Sequence, residues 1–464
     1  MKSLHSLASA AIIAGLTLIC TQPTLAAAKP NVIFILADDL GYGDLGCFGQ
    51  KLIKTPNIDQ LAKEGTRFTQ AYAGATVCAP SRCSLMTGMH NGHAAIRGNR
   101  EIKPEGQQPM PADTFTVAHL MKHAGYTTGL VGKWGLGHPG STSTPDKMGI
   151  DYFFGYNCQR EAHEYYPDHL WRNNDRVELD GKQYSHDLMA AEALDFVRQN
   201  KDRPFFLEIA FTIPHMKLQV PDLGPYDKES WPDDLKKLAA MVTRMDSDVG
   251  RLMALLKDLK LDDNTLVFFA SDNGAAYNDK LFDHSGPLRG NKRDMYEGGI
   301  RSPVIARWPG HIKPNAVSDQ VWTFYDFLPT MASLTGQQPP AGIDGISILP
   351  ALIEGKQIEH PPLYFEFHER GFDQAARIGD WKAVRNGRTG PIELYDLATD
   401  LAEKHDVAAD HLDVVKQCDD FLKSARTEST LWPIRDKPAA AAPAKATKKA
   451  AAPGKKKAAK ASAS

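Results

Sequence analysis

Five short runs of apolar, β-favouring residues punctuate the chain at positions 31–37, 127–131, 204–211, 265–270 and 303–306, with helical stretches and loops between them. Runs of this length without polar alternation suit strands buried on both faces, because a solvated face would select a polar residue at every second position. The pattern predicts an α/β fold, a large mixed, mostly parallel sheet sandwiched by helices. Several runs end in polar clusters: Asp38-Asp39 after the first, Lys133 after the second and Ser271-Asp272-Asn273-Gly274 after the fourth. Open α/β sheets bind ligands beyond the carboxyl ends of their strands, so these clusters are expected to converge.

Near residues 350–362 the chain turns proline-rich and polar, and strand-like segments follow at 363–367, 375–378 and 381–384, then a helix around 412–424. This predicts a larger domain over residues 29–350 and a smaller C-terminal α+β domain over 351–436. The two ends differ in kind. Residues 1–28 carry Lys2 and His5, an apolar run from Leu7 to Cys20, and small residues ending in Ala26-Ala27-Ala28, the pattern of a secretory signal peptide. That run falls short of the roughly 20 residues that span a bilayer, so export to the periplasm or the medium is expected, without a transmembrane span. Residues 437–464 contain eight lysines, no acid and nothing to bury, and are read as a disordered Lys/Ala/Pro tail, either a solvated extension or a polyanion-binding one.

Composition sharpens the picture in one respect. The formal charge of −2 hides an acidic interior, because the tail holds so many of the lysines. Nucleic-acid binding by the folded part is therefore not expected, and an anionic substrate must meet local positive charge. Of six cysteines, at 20, 47, 78, 83, 158 and 418, five remain after the leader. An odd number in an exported chain asks which thiol is special.

Adjacent acids directly after a buried strand repel each other and lose hydration, a conflict that a cation resolves. Asp38, Asp39, Asp272 and Asn273 together offer hard oxygen ligands, suited to Ca²⁺ or Mg²⁺ and not to zinc; a turn or helix cap is the plainer reading of Asp38-Asp39 alone.

The segment Cys78-Ala79-Pro80-Ser81-Arg82-Cys83-Ser84-Leu85-Met86-Thr87-Gly88 resembles the signature of the formylglycine-dependent sulfatases, of arylsulfatase type in the alkaline-phosphatase-like superfamily. In that family the cysteine of C-x-P-S-R is oxidised to an aldehyde after synthesis. The resemblance covers nearly all of residues 31–400, through Gly41-Tyr42-Gly43-Asp44, Thr55-Pro56-Asn57-Ile58-Asp59, residues 125–137 and Tyr296-Glu297-Gly298-Gly299. It implies an alkaline-phosphatase-like fold, a sulfuric ester hydrolase activity, one Ca²⁺ held by Asp38, Asp39, Asp272 and Asn273 beside the modified Cys78, and a formylglycine-generating machinery as maturation partner. It further implies that Arg82, Lys133 and Lys292 contact the modified residue or the sulfate, and that His215 is the general acid at the leaving-group oxygen. A hydrated aldehyde suits this chemistry: one hydroxyl attacks sulfur, and loss of the proton from the other expels sulfate without a second attack by water.

One position departs from the pattern. The family commonly has G-K-W-H-L-G, whereas Gly132-Lys133-Trp134-Gly135-Leu136-Gly137 lacks the histidine, and His138 is its candidate substitute. The polar and aromatic segment 158–167 is expected to bind sugar, with His163 as a substrate contact, and His284 is expected on the leaving-group side. A sulfated small molecule or glycan is the expected substrate. A phosphoester or phosphonate hydrolase of the same fold, and a non-catalytic polyanion-binding protein, remain as alternatives.

Overall fold

In the computed structural model, residues 29–435 are described; the expected leader at 1–28 and the expected tail at 437–464 lie outside them. The strands are β1 (Asn31–Ala37), β2 (Thr66–Phe68), β3 (Ala71–Tyr72), β4 (Thr127–Lys133), β5 (Tyr152–Tyr156), β6 (His169–Arg172), β7 (Asp175–Glu178), β8 (Phe205–Ala210), β9 (Thr265–Ser271), β10 (Val304–Arg307), β11 (Ala316–Ser318), β12 (Trp322–Thr323), β13 (Leu363–Phe367), β14 (Asp373–Ile378), β15 (Trp381–Arg385) and β16 (Ile392–Asp396). Ten of them form one sheet in the order β11-β2-β10-β9-β1-β8-β4-β5-β6-β7. Its centre, β9-β1-β8-β4-β5, is parallel throughout. Antiparallel pairing begins outward of β9 and of β5.

Burial on both faces explains the apolar runs. Along β1, Ile33 and Ile35 point into one cluster with the helices Pro56–Lys63, Ser185–Gln199 and Asp233–Asp258. Val32, Phe34 and Leu36 point into the other, with Cys78–Thr87, Val117–His123 and Phe327–Thr335. Each such side chain contributes about 1.5–3 kcal/mol on leaving water, which holds the sheet between its two helical layers.

The four-stranded sheet β13-β14-β15-β16 is antiparallel. One of its faces, with Tyr364, Ala376, Ala383 and Leu394, covers the helix Leu412–Ser424 through Cys418 and Leu422. The other, with Leu363, Phe365, Phe367 and Val384, packs on Val77, Met295 and Ile300. Val77 precedes Cys78 and Met295 follows Lys292 by three residues, so this sheet backs two segments that carry site residues. Among the described residues no helix is long and apolar enough to cross a membrane.

Candidate active site

Parallel strands deliver the polar clusters to one edge. Asp38 and Asp39 follow β1, Asp272 and Asn273 follow β9, His215 lies five residues beyond β8, and Lys133 ends β4. Because β9, β1, β8 and β4 are consecutive in the sheet, the six residues meet over its carboxyl ends. The turn is tight: the Asp38 N–H donates to Ile213 O at 3.2 Å and the Asp272 N–H to Ala37 O at 3.0 Å. Asp39 has φ 65°, a left-handed conformation that Asp tolerates better than most residues.

Cys78 enters from the opposite side as the first residue of the helix Cys78–Thr87, after an extended Val77. A helix N-terminus collects unpaired N–H groups and positive potential, so it favours an anion at that place. The Cys78 thiol lies 3.3 Å from Asp38 Oδ1 and 3.6 Å from Lys292 Nζ. Potential ligand atoms of Asp38, Asp39, Cys78 and His215 all fall within 4.8 Å of one another.

Three cations surround three buried carboxylates. Lys133 Nζ donates to Asp38 at 2.5 Å, Lys292 Nζ donates to both oxygens of Asp39 at 2.6 and 2.7 Å, and Arg82 donates from Nε and Nη2 to Asp272 at 3.1 and 2.8 Å. Arg82 also donates to the Lys133 carbonyl at 3.1 Å, which ties the helix to the end of β4. Burial pushes the Asp38 carboxyl up, but Lys133, His215, Arg82 and Lys292 outweigh it and hold it well below the carboxylate range. Asp39 is likewise lowered against burial, by His215 and Lys292. Asp272 goes the other way, pushed up to about 6 by burial and the neighbouring Asp38.

Asn273 donates through Nδ2 to Asp39 at 2.7 Å, while its Oδ1 is buried without a partner. An amide oxygen orphaned beside three carboxylates fits a hard divalent cation, which is the ligand set expected from the sequence. The second His and acid cluster, His90, His93 and Asp344, is built differently. Its two imidazoles are stacked 4.3 Å apart at 26° and both face Asp344 Oδ1, at 3.6 and 2.8 Å.

The thiol itself is in the wrong environment for nucleophilic work. Burial, then Asp272 and Asp38, push the Cys78 thiol well above its ordinary value. A thiolate nucleophile needs the opposite shift, so this cysteine as a plain thiol stays protonated and inert.

The remaining expected residues divide. His215 donates through Nδ1 to the Met216 carbonyl at 2.5 Å, since a carbonyl only accepts, and its Nε2 faces Asp39 at 3.2 Å. His163 stacks on His215 with ring centroids 3.7 Å apart, and burial followed by Lys133 lowers it to about 2, so it is neutral. His284 has both ring nitrogens engaged, by Asp44 and by Asp279 at 2.6 Å; these acids overcome burial and raise it to about 9. The structure thus makes it a buried cation braced between two acids. His138 hydrogen-bonds through Nδ1 to the Pro139 carbonyl at 3.1 Å and packs against Gly106.

Gly135 has φ +69°, and a Cβ there would lie 2.8 Å from Gln159 Nε2. Gln159, itself buried, fills the space that a side chain at 135 would claim. Gln159 was not singled out from the sequence, nor was Tyr277, whose phenol is raised by burial and by Asp39. The signals were present: Gln159 stands in the polar insert and Tyr277 four residues after Asn273.

Fold and site together define an alkaline-phosphatase-like hydrolase. The Sulfatase family profile matches residues 30–337, and that of the N-sulphoglucosamine sulphohydrolase C-terminal region matches 290–428. The chain belongs to the sulfatase family and is a sulfate ester hydrolase. It is 35% identical to N-acetylgalactosamine-6-sulfatase of Sus scrofa over 76% of this chain and 71% of that one. It is 30% identical to N-acetylgalactosamine-6-O-sulfatase of Bacteroides thetaiotaomicron over 86% and 93%. Among solved structures, Ps i-CgsB in complex with k-i-k-neocarrahexaose superposes with a TM-score of 0.78 at 31% identity, covering 88% of this chain and 95% of that one. A phosphonate monoester hydrolase of Agrobacterium radiobacter, at 20% identity and TM-score 0.65 over 88% and 100%, shares the fold.

Proposed function

We propose that this protein hydrolyses sulfate monoesters of carbohydrates, with Cys78 matured to formylglycine and one Ca²⁺ beside it, in a chain exported by its leader. The observation that carries the reading is the convergence of Cys78, Asp38, Asp39, Asp272, Asn273, Lys133 and Lys292 over the carboxyl ends of parallel strands. Relatives named for sulfated amino sugars and a neighbour solved with a carrageenan-type oligosaccharide support the carbohydrate assignment.

Asp38, Asp39, Asp272 and Asn273 would hold the cation, Mg²⁺ being the alternative, and the cation would polarise the sulfate and the hydrated aldehyde. The chain's own residues do the rest. Arg82 orients the helix that carries Cys78 and offsets Asp272, and Lys133 and Lys292 supply the positive charge that an acidic protein needs to accept sulfate. His215 donates its Nδ1–H to the Met216 carbonyl and turns Nε2 towards Asp39; with a second proton on Nε2, as the imidazolium beside that carboxylate, it would give that proton to the departing alkoxide. His163 braces that ring by stacking. At position 135, where the family pattern has histidine, this site presents the neutral amide of Gln159 instead.

The discriminating experiment uses protein produced with formylglycine-generating machinery and compares 4-nitrophenyl sulfate with 4-nitrophenyl phosphate. The sulfate is expected to be turned over at least a hundredfold faster, and Cys78→Ala is expected to abolish both. Preference for the phosphate would transfer the assignment to a phosphoester hydrolase.

A further inference from the structure

Residues 275–292 form a closed loop, for the Lys292 N–H donates to the Ala275 carbonyl at 2.9 Å. The loop ends on Lys292, whose ammonium sits on both oxygens of Asp39. Its far side is fastened to residues 41–44, which begin two residues after Asp39. The Gly43 N–H donates to the His284 carbonyl at 2.7 Å, and Gln50 Nε2 bridges the Gly43 and Phe282 carbonyls at 3.1 and 3.0 Å. The contact leaves no slack, because a Cβ on Gly41 would fall 2.2 Å from the His284 carbonyl oxygen.

At the centre of this contact the buried His284 ring has a carboxylate at each nitrogen, Asp44 at Nδ1 and Asp279 at Nε2, the latter 2.6 Å away. An ionised carboxylate only accepts, so both nitrogens carry protons and the ring is an imidazolium. Each acid uses its other oxygen to hold its own loop. Asp44 Oδ2 accepts from the Gly41 N–H at 2.7 Å, and Asp279 Oδ1 accepts from the Leu281 and Phe282 N–H groups, each at 3.0 Å. The titratable groups facing the ring are thus Asp44 from the loop after β1, and Asp279 and Tyr277 from its own loop, the phenol ring with its centroid 6.0 Å away. Among the described residues neither acid has a second cationic partner.

We propose that the His284 imidazolium is a positioning residue, a charged latch that joins the loop of Lys292 to the loop of Asp39 and keeps that ammonium on that carboxylate, and that loss of its proton opens the latch and lowers activity at alkaline pH. The proposal rests on the sulfatase reading above and adds to it an alkaline limit set outside the residues that touch the sulfate. The sign follows from the partners. The two acids overcome burial and raise the ring from 6.5 to about 9. The native state therefore keeps a proton that the unfolded chain releases near 6.5, so the latch contributes fully below that pH and is lost as pH rises through 9.

The test compares the matured, Ca²⁺-loaded full chain with Asp279→Asn, whose amide oxygen still accepts from the Leu281 and Phe282 N–H groups while the charge is gone. With one of its two acids removed the imidazolium gives up its proton sooner. The alkaline limb of kcat/KM for 4-nitrophenyl sulfate is expected near pH 9 in the wild type and at least about one unit lower in the variant. His284→Gln, which cannot carry the charge, is expected to lower kcat/KM at least tenfold at pH 7.5. A second readout is independent of turnover: the urea midpoint of the wild type is expected to exceed that of His284→Gln at pH 6, and the excess to shrink by pH 9.5. Coincident limbs in the wild type and Asp279→Asn, or an excess in urea midpoint that does not change with pH, overturns the proposal. Failure of the wild type to release sulfate from the aryl ester at any pH overturns the sulfatase reading itself.

Discussion

Lys292 bridges the two halves of the site, with its Nζ on both oxygens of Asp39 and 3.6 Å from Cys78 Sγ. Burial opposes its charge, yet Asp39 raises it above its ordinary value, so it is a fixed cation at any working pH. Lys292→Met is expected to lower kcat/KM for a sulfate ester by about 10²–10³, the size seen when one preorganised charge is removed from a reacting oxyanion; a loss under tenfold in steady-state kinetics would count against its role. Glu208 gives a prediction of a different kind. It lies on β8 and is fully buried, with an orphaned Oε2, and burial, only partly offset by Arg82, pushes it from 4.5 to about 7. A raised folded value means that the native state holds a proton the unfolded chain releases, so stability falls as pH rises from about 4.5 and levels off above 7. The full penalty is on the order of 3 kcal/mol at pH 8. Glu208→Gln is therefore expected to unfold at higher denaturant than the wild type at pH 8, with the difference vanishing near pH 4.5; a pH-independent difference would refute the argument.

Elements buried on both faces were the most legible. Strand β1 matches the run at 31–37, and β8, β9 and β10 differ from their runs by a residue or so at the ends, because an apolar run without alternation, such as the six residues Val32 to Ala37, suits a strand covered on both faces. The outer strands β6 and β7, His169–Arg172 and Asp175–Glu178, carry charges and leave most of their residues partly or wholly exposed, and the three-residue β2 and β11 are too short to show a period. These outer strands went unread for that reason. At the site, motif positions were readable because their chemistry is tied to strand ends, while His284's two acids and the space of Gly135 taken by Gln159 depend on distant segments meeting. Sequence also missed the buried network in which Lys382 of β15 donates to Glu297 at 2.9 Å and Glu403 at 3.2 Å, while Glu403 accepts from the Glu297 N–H at 2.8 Å. Lys382→Met leaves buried Glu403 without its cation and Glu297 with Arg301 and the Tyr72 hydroxyl alone, and is expected to destabilise by about 3–5 kcal/mol in urea unfolding; a change below about 1 kcal/mol would show that the network does not fasten β15 to these segments.

Over the whole molecule, three buried carboxylates within one small volume set how stability responds to a cation. Self-repulsion is relieved in the native state alone, since the unfolded chain separates β1 from β9 by more than two hundred residues. Ca²⁺ at a hundred times its dissociation constant stabilises by about 2.7 kcal/mol, so the thermal midpoint is expected to rise by several degrees with Ca²⁺ and to fall back with a chelator; a midpoint indifferent to both contradicts the ligand set. In the proposed reading an acidic body meets its anionic substrate where Arg82, Lys133 and Lys292 gather positive charge at the strand ends.

The central claim is that Cys78 works as formylglycine, and mass spectrometry of the tryptic peptide covering residues 68–82, from protein made in its native host, tests it most directly. The account predicts the mass of the aldehyde in place of the thiol at position 78. A peptide that carries only the unmodified thiol, in protein that still releases sulfate from esters, would contradict it.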